Sequence, residues 1–462
     1  MSVRPFLLTA LALAAPDALF DSRVQAQDQV ADPFIIEGDQ VEQIEGSIDA
    51  AEVIIRDNGR LELVGGFADL EGRNDFPQVL LEDEATAQVV FGEGDQRPVI
   101  TTTGRSQLDI VGGSAILQPE GSSQIRVTDG LVTGSGSSIA IGESSTLTAI
   151  RTRVGGEEIN VLDSATLIII DSGVVPFTAT DSARVELFGG RDVGTATFGG
   201  NFFLDQSSAL VDGFTTSSGP GDANFTFADE ATGVFRGETQ IIDNIFITVR
   251  EDAEVRIEGG RYVAAVDPFD GRPLGAFNVS GNLTFTGGTI EYLDGVPGAS
   301  RSLFSGTDDA VITFEGGQFT DAPEVLDRFA AAASDPATVF PGLPVGLLRS
   351  GGDLFEAAEF QNPAIALFDQ SQLVLLSDEI NINGDVFGLG DAESLTLTDL
   401  PEFGVLSAVL ADGNPFEASF VRDLGTTITL RAADPGTPNP VPTPTALGGG
   451  LVLLGLGLRR RR

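Results

Sequence analysis

The carboxylates are the side chains of this sequence that could do chemistry, because most other reactive groups are missing. The chain has 68 Asp and Glu residues and no His, Cys or Trp, and its 26 basic residues are all Arg. Ser-His-Asp and Cys-His catalysis, thiolate or imidazole zinc sites, lysine Schiff bases and disulfides are therefore excluded. The net charge of −42 also argues against a nucleic-acid partner, because polyanions repel one another.

Carboxylates could still form a calcium site. Calcium loops place oxygen ligands at alternate positions before a glycine, and the run from Glu379 to Asp385, followed by Asp391, partly has this form. Position twelve of that loop is Gly390 instead of Glu, and its apolar residues alternate as in a strand, so a strand and a turn are the preferred interpretation. We predict no cofactor; Ca²⁺ binding by the acidic surface is an alternative to a purely solubilising role.

A pair of carboxylates could also act on a carbohydrate, which requires a fixed separation between them. Asp308 and Asp309 are adjacent, but they belong to a turn pattern. The repeats described below predict a parallel β-helix, and many proteins with that fold are polysaccharide hydrolases or lyases. Those families combine acids with His, Lys or Arg in motifs that this chain does not show. We predict that the protein is not an enzyme, with a carbohydrate-active β-helix enzyme as the alternative.

The first 26 residues have the order of a secretory signal peptide. Arg4 provides a positive start, an apolar run follows, and Val24 and Ala26 are the small residues before the predicted cleavage site, with a cut near Ala14-Ala15 as the alternative. The apolar run is too short to span a bilayer, which needs about 20 residues.

The C-terminus has three parts. Residues 432–445 are Pro-rich and predict an extended linker, residues 446–458 are apolar, and four arginines end the chain. Thirteen helical residues would cover only about 20 Å of a hydrocarbon core about 30 Å thick. Because terminal arginines favour the cytoplasmic side, this pattern predicts a transient stop in the inner membrane during export.

This tail resembles a PEP-CTERM sorting signal, in particular the variant written VPLPA-CTERM. The resemblance rests on a proline motif, an apolar segment and a basic end, carried by Val441, Pro442, Pro444, Arg459, Arg460, Arg461 and Arg462. It implies that an exosortase-type enzyme recognises and cuts the tail, and that the body reaches the cell surface or an exopolysaccharide matrix. The stretch from 404 to 435 resembles the closing segment found before many such tails.

The body between residues 47 and 320 shows short apolar–polar alternation interrupted by turn residues, and almost no helical period. One pattern recurs: apolar, polar, apolar, any residue, Gly, Gly. It begins at Leu61, Leu108, Val185, Val255, Leu283 and Ile312, with a weaker copy at Ile125. Small polar residues often precede it, as in Asp163-Ser164-Ala165.

These repeats predict an all-β fold, a right-handed parallel β-helix (β-solenoid), with serial β-sandwiches as the alternative. Several spacings fit multiples of a coil of about 23–29 residues, which gives about eleven coils and a rod about 50 Å long. Stacked coils would bury one apolar column, and the Gly-Gly pairs would form tight corners.

We divide the chain into a signal peptide (1–26), a β-solenoid body (27–320), a helical insertion (321–349), final β coils with a cap (350–431), the linker (432–445) and the sorting segment (446–462). The helix is expected within 321–337, with Pro323 near its start. Residues 201–218 and 267–277 are rich in turn residues and are expected to form loops outside the rod.

Taken together, the pattern predicts an exported structural or adhesive protein of the cell surface, outer envelope or extracellular matrix. Its expected partners are the export machinery, an exosortase-type enzyme and an exopolysaccharide.

Overall fold

The computed structural model describes residues 33–46, 48, 50, 52–65, 77–91, 97–133, 138–155, 158–192, 200–215, 224–242, 245–266, 273–292, 302–321, 323–334 and 363–433. The predicted cleavage residues Val24 and Ala26 lie outside these ranges, as do the predicted sorting residues Val441, Pro442, Pro444, Arg459, Arg460, Arg461 and Arg462. The described residues contain 42 strands and one helix, and this part of the chain has no helix with the length and hydropathy needed to cross a bilayer.

The strands are short, and in most of them every second side chain is buried, as expected for sheets with one face on a core. One sheet of sixteen strands runs the length of the rod. Its members, in spatial order, are β2 (Val41–Glu45), β4 (Arg60–Val64), β6 (Thr86–Val90), β8 (Gln107–Val111), β10 (Gln124–Thr128), β13 (Thr146–Ile150), β16 (Thr166–Ile170), β19 (Arg184–Phe188), β22 (Ser208–Asp212), β24 (Thr232–Arg236), β27 (Glu254–Ile257), β30 (Asn282–Phe285), β33 (Val311–Phe314), β36 (Gln372–Leu376), β42 (Thr427–Arg431) and β39 (Ser394–Leu397).

Two further sheets complete the coils. The nine-stranded sheet contains β1 (Phe34–Ile36), β3 (Glu52–Ile55), β5 (Gln78–Leu81), β7 (Val99–Thr102), β9 (Ser114–Pro119), β11 (Leu131–Thr133), β14 (Arg153–Val154), β17 (Gly173–Val174) and β20 (Arg191–Asp192).

The seventeen-stranded sheet contains the remaining strands. They are β12 (Ser138–Ile141), β15 (Glu158–Val161), β18 (Phe177–Ala179), β21 (Asn201–Phe203), β23 (Asn224–Phe227), β25 (Gln240–Ile242), β26 (Ile245–Val249), β28 (Arg261–Val266), β29 (Pro273–Val279), β31 (Thr289–Tyr292), β32 (Phe304–Gly306), β34 (Gln318–Thr320), β35 (Ile365–Leu367), β37 (Glu379–Ile382), β38 (Asp385–Gly388), β40 (Phe403–Val409) and β41 (Pro415–Arg422).

Within the sixteen-stranded sheet, β2 to β42 pair in parallel, which confirms the predicted parallel β-helix and excludes serial β-sandwiches. The recurring sequence pattern occupies equivalent positions there: Leu61 and Leu108 both align with Ala87, and Leu108 pairs with Ile125. The fifteen parallel strands make a rod of about 65 Å, because neighbouring strands lie about 4.8 Å apart.

The predicted coil length of 23–29 residues is wrong for much of the rod. Leu108 and Ile125 are partners in adjacent coils only 17 positions apart, and Leu167 and Val185 only 18. Three short coils between Ile125 and Val185 lack the Gly-Gly pair, so the recurring sequence pattern does not mark each of them.

The interior is one continuous hydrophobic core along the rod. Its later coils are filled by phenylalanine rings stacked on one another: Phe203 on Phe227 with centroids 4.7 Å apart, and Phe277 on Phe304 at 4.9 Å. Such contacts add about 0.5–1.5 kcal/mol per pair to the stabilisation from area burial.

Both segments expected to be loops contribute to the coils. Residues 201–215 contain β21 and β22, and residues 273–277 lie in β29, while 216–218 and 267–272 are outside the described ranges. The inward-facing Phe203, Val211 and Phe277 are buried, and packing against the adjacent coils outweighs the turn-rich composition.

The helix α1 spans Pro323–Ser334, with the expected proline as its first residue. Val325 and Phe329 cluster with Ala366, Phe368 and Val421, and Phe403 and Val405 pack against them, so α1 lies on the outer side of β40 and β41. At the C-terminal end of the rod, β37, β38, β40 and β41 pair antiparallel, and β39 pairs antiparallel with β42. These strands form the predicted cap and protect the last coil from pairing with another chain.

Candidate functional site

One corner of the coil is a tight turn whose first residue has a left-handed backbone. In ten coils this residue is acidic, with φ between +53° and +59°. Each stands three positions before the first residue of a strand in the sixteen-stranded sheet, so the sheet register aligns them along the rod. We call this set the acidic turn column: Asp57, Asp83, Glu143, Asp163, Asp181, Asp205, Asp229, Glu251, Asp308 and Asp369.

Aspartate suits this corner for two reasons. Its short polar side chain tolerates the left-handed region better than most residues. In addition, its carboxylate accepts a hydrogen bond from the backbone N–H at the same place in the preceding coil: Glu143 N donates to Asp163 Oδ2 at 2.9 Å, and Asp181 N donates to Asp205 Oδ2 at 3.2 Å. The same contact joins Gly38 to Asp57, Asp163 to Asp181, Asp205 to Asp229, Asp308 to Asp369 and Asp369 to Asp423.

The other two turn residues add further contacts between adjacent coils. The second residue donates its N–H to the carbonyl of the column residue in the preceding coil, as Ser182 does to Asp163 at 2.7 Å. The third residue is small and fully buried, as are Ala165, Ala183 and Ser207. The acid–any–Ala/Ser pattern is therefore a structural signature of the corner, visible in the sequence as the small polar residues that precede the strands.

An open groove of about 690 Å³ lies on this corner near the N-terminal end. It forms where two consecutive coils carry Gly104 and Gly121 at the column position, between the carboxylates of Asp83 and Glu143. The Arg105 side chain also lines it. The groove therefore presents carboxylate oxygens, one guanidinium and exposed backbone to solvent.

Arginines neutralise some acids outside the acidic turn column. Arg151 contacts Asp129 through two hydrogen bonds of 2.8 Å, and this interaction lowers the pKa of the Asp129 carboxyl. At the other end of the rod, burial raises the pKa of the Asp423 carboxyl, and the neighbouring charge of Asp369 adds to this effect. The electrostatic environment of the carboxylates thus differs along the rod.

The sequence candidates for chemistry have structural roles. Glu379 to Asp385 forms the hairpin of β37 and β38, so the strand-and-turn interpretation is confirmed. Asn383 occupies the turn with φ +52°, and its Oδ1 accepts from Val405 N at 2.8 Å. Asp391 lies in a separate, exposed turn after this hairpin.

Asp308 and Asp309 also lie in a turn, as expected. The structure places Asp308 in the acidic turn column, where its N–H donates to Asp369 Oδ2. Within the described ranges, no three acidic side chains converge in an arrangement that could hold a metal ion.

A buried polar contact closes the insertion between β34 and β35. Asp321, before α1, accepts hydrogen bonds from the backbone N–H and the hydroxyl of Ser419 in β41. The same hydroxyl accepts from Ala364 N at 2.8 Å, so Ser419 holds both ends of the insertion. Sequence patterns gave no indication of this contact, because its partners are 98 and 55 positions apart.

The chain was compared with protein-family models, with curated proteins and with solved structures, and none of the three comparisons finds a match.

Proposed function

We propose that this protein is an exported structural or adhesive component of the cell surface or extracellular matrix. Secretion would use the N-terminal signal with cleavage after Ala26, and an exosortase-type enzyme would process the C-terminal tail near Val441, Pro442 and Pro444. The four terminal arginines would hold the tail briefly at the inner membrane. The proposal is supported by the targeting patterns at both ends of the sequence and by the repetitive body between them.

The acidic turn column is the structural observation that supports an adhesive role most directly. It places ten carboxylates along one edge of a rod whose coils lie about 4.8 Å apart, with interruptions such as the one at Gly104 and Gly121. Individually weak contacts with a repetitive polymer become strong when many are made at once, because each later contact forms at a high effective concentration. An exopolysaccharide, which repeats hydroxyl donors along its length, is the partner we propose for this edge.

Cell fractionation with mass spectrometry of the mature protein tests delivery. We expect the protein in the envelope or matrix fraction, beginning at Gln27 and lacking residues after the 441–445 motif. A matched variant with Arg459–Arg462 replaced by Gln should accumulate with its tail uncut. Intact chain from Met1 to Arg462 in the cytoplasm would contradict the proposal.

Co-sedimentation with the exopolysaccharide of the producing cells tests the adhesive role separately. Replacing Asp163, Asp181 and Asp205 by Asn keeps an acceptor oxygen for the backbone contacts but removes three charges. We expect weaker co-sedimentation for this variant than for one carrying three acid-to-amide changes at Glu42, Glu45 and Glu52, away from the corner. Equal binding by both would argue against the turn column as the contact.

A further inference from the structure

The outer face of nine consecutive strands in the sixteen-stranded sheet combines many apolar side chains with balanced charges, in contrast to the acidic chain as a whole. These strands, from β4 to β24, present 27 outward-facing positions, which we call the neutral face. Nine of its side chains are apolar and partly or largely exposed: Val64, Val90, Val111, Ile150, Ile168, Ile170, Phe188, Leu210 and Val234. Five consecutive strands, β13 to β24, each present at least one of them.

The apolar side chains are contiguous because the strands are in register. Ile150 aligns with Ile170, and Ile170 aligns with Phe188, so these three form one column along the strand ends. In the adjacent column, Leu210 aligns with Val234. Beyond β10, whose outward-facing residues are polar, apolar side chains resume on β8, β6 and β4, where Val64 is 53% exposed.

The charges on this face balance. It carries four arginines and four acids, and each is in an ion pair: Arg60 with Glu62, Arg126 with Asp109, Arg184 with Glu186, and Arg236 with Asp212. The whole chain, in contrast, has 68 acids and 26 arginines. Screening at physiological salt confines repulsion to about 8 Å, so the charges at the point of contact decide whether two acidic molecules can approach.

We propose that the neutral face is the contact surface between two copies of this chain, related by a two-fold axis near Ile150. A second copy fits because it brings an equally neutral, apolar stripe to the contact, while the acidic turn columns stay outside it. Packed sheets lie about 10 Å apart, which allows the two rows of apolar side chains to interdigitate. The inference is independent of where the cell delivers the protein.

Sedimentation analysis of the protein, purified in the form that cells accumulate, tests this contact. We expect the mass of a dimer for the wild type and of a monomer for Ile170→Glu. Thr284→Glu, on the same sheet face but outside the neutral face, should remain a dimer. A wild-type monomer at every concentration, or an Ile170→Glu dimer with unchanged stability, would overturn the proposal.

A cross-linking experiment covers the case in which Ile170→Glu does not fold. The native chain has no Cys, so an introduced thiol is unique. Ile150→Cys should give covalent dimers with a short bis-maleimide, and Thr313→Cys on β33 should not. Equal cross-linking at both positions would refute the contact, as would partition of a monomeric wild type onto neutral phosphatidylcholine vesicles.

Discussion

The hydroxyl of Ser419 provides a test of how the insertion is held to the rod. Ser419→Ala removes the hydroxyl bond to the buried carboxylate of Asp321 and the acceptor of the Ala364 N–H. Asp321 and Ser419 are 1% and 0% exposed, so water cannot replace these contacts without opening the structure. A hydrogen bond to a charged group contributes about 1.5–3 kcal/mol and a neutral one about 1, so we expect a loss of about 2–4 kcal/mol.

The loss should be local, because a coil contacts only its neighbours and a repeat array need not unfold as one unit. Hydrogen exchange in α1 should therefore accelerate by about 30-fold or more, since each 1.4 kcal/mol corresponds to tenfold. Exchange in β13 and β16, far along the rod, should not change. Trypsin should also cleave sooner after Arg328, which lies in α1.

Ser207→Ala is the matched control. Ser207 is equally buried, but its hydroxyl has no hydrogen-bond partner among the described residues, and the equivalent positions in the adjacent coils are Ala183 and Ala231. We expect this variant to be as stable as wild type or more stable. Unchanged exchange in α1 for Ser419→Ala, or an equal loss in both variants, would refute the assigned role of Ser419.

Three further predictions concern the corners and the charges. Gly260→Ala should lower the free energy of unfolding by more than the about 1–2 kcal/mol that a left-handed alanine costs, because its Cβ would lie 2.6 Å from the carbonyl oxygen of Thr239. Gly413→Ala, which has open space around it, should lower it by that amount only. Chemical denaturation of the two variants measures the difference. Folding raises the pKa of the Asp423 carboxyl, so ionisation of this group destabilises the folded protein as pH rises through that pKa. Asp423→Asn should therefore be more stable than wild type at pH 7 and should have no advantage below about pH 4. Equal stability of the two proteins at every pH would contradict this. Raising NaCl from about 0.05 to 0.5 M should raise the melting temperature by screening the acidic turn column, and a fall in melting temperature would count against repulsion there.

The Gly-Gly corners were predictable from the sequence for two reasons. Glycine adopts a positive φ more readily than any other residue, and it has no Cβ to clash with the backbone of the adjacent coil. Gly65 has φ +129°, and a Cβ there would lie 2.8 Å from the carbonyl of Gly46. The same corner in other coils uses different chemistry. Thr152 has its hydroxyl bonded to the carbonyls of Val127 and Ile150, and a search for glycine pairs cannot find it.

The cap and the buried contacts were less accessible to sequence reasoning. An Asp-Gly pair is a common signal for a hairpin turn, and Asp412-Gly413 lies between the antiparallel strands β40 and β41. The contacts of Arg422 were not foreseeable: it is fully buried and donates to the carbonyls of Leu400 and Thr426. Burial lowers the pKa of this guanidinium, and the site depends on loops brought together only in the folded cap.

The corner that carries the acidic turn column also separates what is constant in this molecule from what varies. From the last residue of the strand before that turn to the first residue after it, the chain advances five positions in nearly every coil, as from Ile55 to Arg60 and from Leu367 to Gln372. Differences in coil length fall elsewhere, including the 45 positions from Thr320 to Ile365, a range that contains α1. The turn that carries the acidic turn column therefore has a constant length, and the rest of each coil can vary. An insertion there can lengthen a coil without changing the strand register of the next coil.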